Sequence, residues 1–341
     1  MKIGNTILGD SVFIIAELSC NHRGNIDEAI KMIHEAKKAG VNAIKIQTYT
    51  PENMTIDCDN DDFSLKNTIW EKYGNLFNLY KQSFTPISFY PILQKEAEDL
   101  GMEFFTSVFD PNTIDELEKN YKVTCYKIAS FEITDKVLLH RIALTKKPVI
   151  ISSGMATEDE LDEAVQILKG SDIAILKCTS EYPASLSNAN LNTIPYLKSK
   201  YPLSIIGISD HTLGDIVPIA SVSLGAQIIE KHFTLSKNGS PDDAFSMIPD
   251  EWKNMIDKIR QVEQVLGKIS FSVPDENKCK LYRRSLFVVE DIKKGEKFTS
   301  SNIRSIRPST GLDTKYYWNI IDKYSNIDLK KGTPMKLEFI D

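Results

Sequence analysis

Two histidines each close an apolar, strand-like run: His211 ends SIIGISDH (204–211) and His232 lies in AQIIEKHF (226–233). The chain holds five histidines, so the repetition asks for a chemical reason. Neutral imidazoles on neighbouring strand ends can meet across roughly 5 Å of sheet spacing. Together they can hold one divalent transition metal and leave positions open for water and a substrate oxygen. Two protein ligands are fewer than the usual three, and a pair of hydrogen-bonded structural histidines fits the same spacing. His22 follows the first such run, whereas His34 and His140 sit in amphipathic segments and read as solvated.

The lysines carry a second chemistry. Lys45, Lys127, Lys177 and Lys231 lie in or at the ends of apolar runs. A buried ammonium needs an anionic partner. Glu17, Glu132 and Glu230 are candidates within the protein. A bound phosphate or carboxylate is the other, assisted by Ser130, Ser153 and Ser209. The density of cations favours an anion pocket. A lysine nucleophile forming a Schiff base, Lys127 or Lys177, is a different reading of the same residues.

Such groups need a scaffold that gathers strand ends. Eight short apolar runs supply it: 12–18, 43–49, 103–109, 125–130, 148–154, 173–180, 204–211 and 226–233. Amphipathic segments separate them. The segment 26–40 places Ile26, Ala29, Ile30, Ile33, Ala36 and Lys37 near one face and ends on Gly40. The segment 156–170 opens with Thr157 and, three residues on, Glu160, a capping-box spacing. The segment 249–268 sets Trp252, Met255, Ile256, Ile259, Val262 and Leu266 on one stripe. Strand and helix alternating eight times predict a (β/α)8 barrel over 1–267, with its site at the C-terminal mouth. Continuous rather than alternating apolar runs suit parallel strands covered on both faces. A doubly wound sheet would want a Gly-rich first turn, which ELSCNHRG is not. The stretch 50–85 is long for a connection and reads as a lid or an oligomer contact. Residues 268–282 read as a linker. Residues 283–341 read as a small, mostly β domain with a helix near 314–323, in which Asp-Ile-Lys-Lys-Gly (291–295) returns as Asp-Leu-Lys-Lys-Gly (328–332).

Composition excludes some classes. The 341 residues carry a net charge of −6 with no basic block, which argues against nucleic acid. Five scattered cysteines, odd in number and without C-x-x-C spacing, read as reduced thiols of a cytoplasmic protein. No secretion signal and no membrane span are expected.

At these residues the chain resembles the sialic acid (nonulosonic acid) synthase family. The matching pieces run in order along the whole chain: IIAELSCNHRG, AIKIQTYTP, YKIASFE, ISSGMA, KCTSEYP, GISDHTLG, IEKHFTL, SPDDAFSM and the C-terminal RRSLFVVEDIKKGE…IRPSTGL. The last of these resembles the family's antifreeze-like (SAF) domain. Within the family the likeness is strongest to the pseudaminic acid branch, through Phe131 in KIASFE, IQTYTP and RPSTGL. One departure concerns the loop where GPDH is common: this chain reads Ser240-Pro241-Asp242-Asp243, keeping the aspartate and losing the glycine and histidine.

The resemblance implies condensation of phosphoenolpyruvate (PEP) with 2,4-diacetamido-2,4,6-trideoxy-L-altrose, giving a nine-carbon 2-keto acid and phosphate by C–O cleavage. N-acetylneuraminate or legionaminate synthesis is the alternative within the family; a Schiff-base aldolase and a non-catalytic carbohydrate-binding protein are the alternatives outside it. It implies Mn2+, or another divalent ion such as Mg2+ or Co2+, on His211 and His232 with Asp242 supporting a metal-bound water. PEP would be held by Lys45, Lys127, Ser130, Ser153, Lys177 and Ser209. Glu132 would handle protons, with Glu17 a second carboxylate. Asn21, Gln47, Phe131 and Tyr182 are implied sugar contacts, with Phe131 equally readable as a core aromatic. Arg307, from the SAF domain of a partner subunit, would bind an N-acetyl group, in a domain-swapped homodimer.

Overall fold

The computed structural model describes residues 1–237, 239–271 and 275–341. It divides into two compact units, Met1–Gly267 and Lys268–Asp341. In the first, eight parallel strands close into a barrel: β1 (Phe13–Glu17), β2 (Ala43–Thr48), β3 (Glu103–Val108), β4 (Tyr126–Ile128), β5 (Val149–Ser152), β6 (Ile173–Cys178), β7 (Ile205–Asp210) and β8 (Ile228–His232). Each pairs with the next in chain order, and β8 pairs with β1 to complete the cylinder, with His232 opposite Glu17. The TIM-like barrel expected from the eight runs is the barrel observed.

The strands are apolar on both faces because both are buried. Outward residues such as Ile14, Ala16, Ile44, Ile46, Ile151, Ile175 and Ile208 pack under the helices. Inward residues Phe13, Ile15, Ala43, Phe105, Cys125, Ile150, Ala174, Leu176 and Ile228 form a separate plug inside the cylinder. Leucine 176 crowds the neighbouring strand so closely that a Cβ on Gly207 would stand 2.7 Å from Leu176 and 2.4 Å from the Ile228 carbonyl. Only glycine fits there. An N-terminal hairpin, Lys2–Ile3 with Thr6–Ile7, adds Ile3 to the plug. Glu103 holds it by accepting from Asn5 N (2.9 Å), Thr6 N (3.0 Å) and the Thr6 hydroxyl (2.8 Å).

The helices follow their capping residues. In Ile26–Ala39, Asn25 accepts from the Asp27 and Glu28 amides, and Gly40 closes the end at φ 98°. Its buried face is Ala29, Met32, Ile33, Ala36 and Ala39. That stripe is rotated from the expected one: Met32 is inside, while Lys37 is exposed. Glu158–Ile167 opens with the Thr157–Glu160 capping box. Pro249–Leu266 buries Trp252, Met255, Ile256 and Ile259.

The second unit pairs Ser285–Val288 antiparallel with Ile303–Ile306 around Leu286, Val288, Ile292, Phe298, Ile303, Ile320, Leu329 and Met335. A short helix, Tyr317–Ile320, lies in the expected place. The repeated pentapeptides brace each other. Asp291 accepts from the Lys331 amide (2.9 Å) and Asp328 from the Lys294 amide (2.8 Å), while Ile292 and Leu329 exchange backbone hydrogen bonds (2.8 Å each). The stretch read as a linker contains a helix, Glu276–Leu281; its residues 272–274 lie outside the described ones. Among the described residues no helix is long and apolar enough to cross a membrane.

Candidate active site

One inward step beyond the apolar plug, the barrel interior turns ionic. Glu17, Lys45, Ser107, Lys127, Ser152, Ser209 and Glu230 are all buried there. Each sits two residues beyond an inward residue on its own strand, as the period-2 alternation requires. Lys45 ion-pairs with Glu17 and donates to the Ser107 hydroxyl (3.1 Å). Lys127 donates to the Ser152 hydroxyl (2.7 Å) and the Ile128 carbonyl (2.9 Å). Glu230 accepts from Ser209 (3.0 Å) and lies 3.7 Å from Lys45 and 3.9 Å from Lys127. Burial pushes the Lys45 ammonium down to about 8, against the pull of Glu230. Burial also raises the Glu230 carboxyl, but Lys127 and Lys45 more than reverse it and hold it below its usual range.

The imidazoles stand at the rim, 5.4 Å apart between ring centroids. Burial lowers His211 to about 4 and His232 well below its ordinary value, so both are neutral near pH 7. His211 Nδ1 donates to the Thr179 carbonyl (3.2 Å), which leaves Nε2 with its lone pair. Nδ1 of His232 is buried without a hydrogen-bond partner, 3.5 Å from the Asp242 carboxylate. An orphaned imidazole nitrogen beside a second neutral imidazole and a carboxylate is a donor set that suits a divalent cation. Among the described residues no group of three or more His, Cys, Asp or Glu is placed to hold a metal ion, so the protein's own contribution to such a site is the imidazole pair. Asp242 is fixed by the Ser19 hydroxyl (2.5 Å), and burial raises its carboxyl.

Above the rim opens a cavity of about 370 Å³, lined on one side by Ser19, Gln47, Glu132, His232 and Asp242. Its other walls are aromatic: Tyr182 packs against His211 (4.4 Å between centroids), Phe245 (5.2 Å) and Phe131 (6.2 Å, stacked). The stretch 50–85 supplies Met54, Leu65, Trp70, Leu76, Leu79 and Tyr80 to the same cavity, so it is a wall of the mouth. Glu132 faces this space with Oε2 buried and unpaired, and burial lifts its carboxyl to about 7 despite Lys127.

The structure thus brings Glu17, Lys45, Lys127, Ser209, Glu132, His211, His232, Asp242, Gln47, Phe131 and Tyr182 to one end of the barrel. Lys177, Ser153, Lys231 and Asn21 depart from the expected placement. Lys177 has the outward parity of Ile175, and its ammonium donates to the Thr179 hydroxyl instead of entering the barrel. Ser153 lies past the strand end and turns its hydroxyl to the Leu176 carbonyl (3.3 Å); the serine on Lys127 is Ser152. Lys231 points outward, paired with Asp210 (2.5 Å). Asn21 spends its amide on the Phe233 carbonyl (2.8 Å), Ser246 (2.8 Å) and Ser240, so it braces the 240s loop and does not line the cavity. Ser130 shares a hydrogen bond with Ser180 (2.7 Å). Both serines crowd Gly154, where a Cβ would stand 2.2 Å from Ser180 Oγ and 2.3 Å from Ser130 Cβ. Arg307 is exposed and belongs to the second unit. Ser152, Ser180 and Phe245 escaped the sequence reading of site residues; the inward parity of Ser152, two residues past Ile150, was the available signal.

Residues 32–270 match the NeuB family and residues 283–340 the SAF domain. Over 341 residues the chain is 42% identical to the pseudaminic acid synthase of Campylobacter jejuni, covering 98% of each. It is 39% identical to the pseudaminic acid synthase of Helicobacter pylori, covering 96% of this chain and 97% of that one. Among solved structures, the N-acetylneuraminic acid synthetase of Leptospira borgpetersenii superposes with a TM-score of 0.73 at 32% identity, over 82% of this chain and 94% of that one.

Proposed function

The chain belongs to the NeuB family, and from that premise we propose that its barrel works as a pseudaminic acid synthase. It is a PEP-dependent enzyme that forms a carbon–carbon bond. The sugar we assign is 2,4-diacetamido-2,4,6-trideoxy-L-altrose. The observation that carries the proposal is the juxtaposition of a buried ammonium–carboxylate–hydroxyl layer with two neutral imidazoles beneath an aromatic-walled cavity.

Lys45 and Lys127 hold the carboxylate and phosphate of PEP, with Ser107, Ser152, Ser209 and Ser130 donating to its oxygens. Because these donors are fixed and dry, they act on developing charge without reorganising. His211 and His232 would hold the divalent ion, Mn2+ in our assignment. When bound, that ion supplies Lewis-acid polarisation of the sugar aldehyde. Glu132, poised near neutrality, exchanges a proton with the sugar oxygen or the water as PEP C3 adds to the aldehyde carbon and water adds at C2. Glu17 and Glu230 balance the lysines and orient them. Phosphate then leaves with its bridging oxygen. Phe131, Tyr182 and the 50–85 wall match the methyl-bearing side of a deoxy, diacetamido sugar better than a hydroxyl-rich one.

The assembly we propose is a homodimer in which Arg307 of the SAF domain completes the partner's site. Support comes from Phe131 (54% exposed), Met155 (57%), Leu186 (53%) and Leu213 (57%), an apolar arc past the ends of β4 to β7 that one chain leaves uncovered. Five free thiols suit a reducing, cytoplasmic setting.

The test offers PEP with each of the three candidate sugars and identifies the nine-carbon product by mass spectrometry and NMR. Pseudaminic acid with release of phosphate is the expected result; exclusive use of either other sugar refutes the assigned specificity. A borohydride-trapped adduct would favour the lysine aldolase. Mixing Arg307→Ala with Lys127→Met chains should restore activity if sites are shared between subunits.

A further inference from the structure

Trp70 sits in the 50–85 wall, where its indole N–H donates to the Pro241 carbonyl (3.1 Å) and its ring lies 6.0 Å from Tyr182. The turn that presents it is braced. Its own amide meets the Thr68 hydroxyl (3.2 Å), which donates to the Leu65 carbonyl (2.8 Å). Leu65 N donates to the Gly74 carbonyl (3.0 Å), and Asn75 is tied to Asp59 (2.8 Å). The indole is therefore a fixed donor and not a surface ring free to swing.

What it holds matters. Pro241 immediately precedes Asp242, whose carboxylate meets Ser19 and faces the orphaned His232 nitrogen. Fixing the Pro241 carbonyl fixes the peptide plane that enters Asp242. On the barrel side the same loop is tied down through Asn21 and Ser240, and within itself by Asp243 accepting from the Ser240 amide (2.8 Å). Trp70 supplies the tie from the cavity side. Site geometry tolerates displacements of about half an ångström, so one anchor on a short loop is felt in the chemistry.

We propose that Trp70 is a positioning residue: through Pro241 it holds Asp242 against His232, and its ring simultaneously closes the sugar cavity over Tyr182. The proposal rests on the synthase reading above. It couples the long connection after β2 to the imidazole rim, so that the element walling the sugar also sets the rim's geometry.

Two substitutions separate the N–H from the ring. Trp70→Phe keeps an aromatic wall and removes the donor. It should lower kcat by roughly three- to tenfold, the worth of one hydrogen bond, with both KM values within about twofold. Mn2+ affinity of the metal-free protein, read by titration calorimetry, should weaken by a similar factor. Trp70→Leu should add a rise of roughly tenfold in the sugar KM and leave the PEP KM unchanged. Wild-type kcat and Mn2+ affinity in Trp70→Phe would overturn the proposal. So would a fall in kcat matched by a lowered melting temperature, which marks a merely structural role. If the wild type makes no nine-carbon product from any sugar, the synthase reading fails, while the Mn2+ affinity arm still decides the role of Trp70.

Discussion

The inside of this barrel holds two adjacent layers built from the same strands at the same parity, and they differ in almost everything else. Below lie Ile15, Ala43, Phe105, Cys125, Ile150 and Ile228; two residues further along their strands come Glu17, Lys45, Ser107, Lys127, Ser152 and Glu230. The lower layer is close-packed hydrocarbon whose burial stabilises the cylinder. The upper layer desolvates four charges, at a cost that mutual pairing only partly offsets. The difference teaches how the work is divided: one layer holds the strands in register so that the next can keep charges at fixed separations.

The widest test of this division exchanges a lysine in the upper layer. Lys127→Met should cut turnover by roughly a thousandfold, measured as phosphate release, while Lys45 still faces Glu230 and the fold survives in circular dichroism. In the lower layer, Phe105→Ala should do the reverse. It should lose about 3–5 kcal/mol of stability by chemical denaturation, with both KM values unchanged in the folded protein. Glu132 sharpens the contrast through pH. Its carboxyl is raised from 4.5 to about 7, so the native state binds its proton more tightly than the unfolded chain. Its contribution to stability is therefore present below about 4.5 and lost as pH rises through about 7. Glu132→Gln should flatten that slope in denaturation curves, and remove a limb near pH 7 from the rate profile while lowering kcat by about a hundredfold. The smallest effect is expected at the layer's edge: Gly154→Ala, pressing on Ser130 and Ser180, should raise the PEP KM about tenfold and spare the sugar KM.

Much of this was legible in the sequence because a parallel strand buried on both faces writes itself as an uninterrupted apolar run. A polar residue at its end then stands out, as Lys45, Glu230 and His232 do. What failed was parity at strands whose ends are ambiguous. Nothing local tells that β5 stops at Ser152, so Ser153 was as good a candidate. Lys177 and Lys231 look like Lys45 in composition but face the other way, and a one-residue step reverses the side. The cavity's aromatic wall beyond Phe131 and Tyr182 was also hidden. Trp70 and Tyr80 come from a stretch without periodicity, and their placement over the mouth depends on contacts far along the chain. Asn21 misled for a related reason: it sits at the mouth, yet every polar atom it owns is spent inside the protein.

The resting upper layer is already electrically balanced, Lys45 and Lys127 against Glu17 and Glu230. On our assignment, the PEP trianion is therefore drawn in by directed donors more than by bare positive charge, and the departing inorganic phosphate finds no unopposed cation trapping it. Release of the spent phosphate is thereby eased by the same carboxylates that cost the empty enzyme stability, and product inhibition by phosphate should be correspondingly weak.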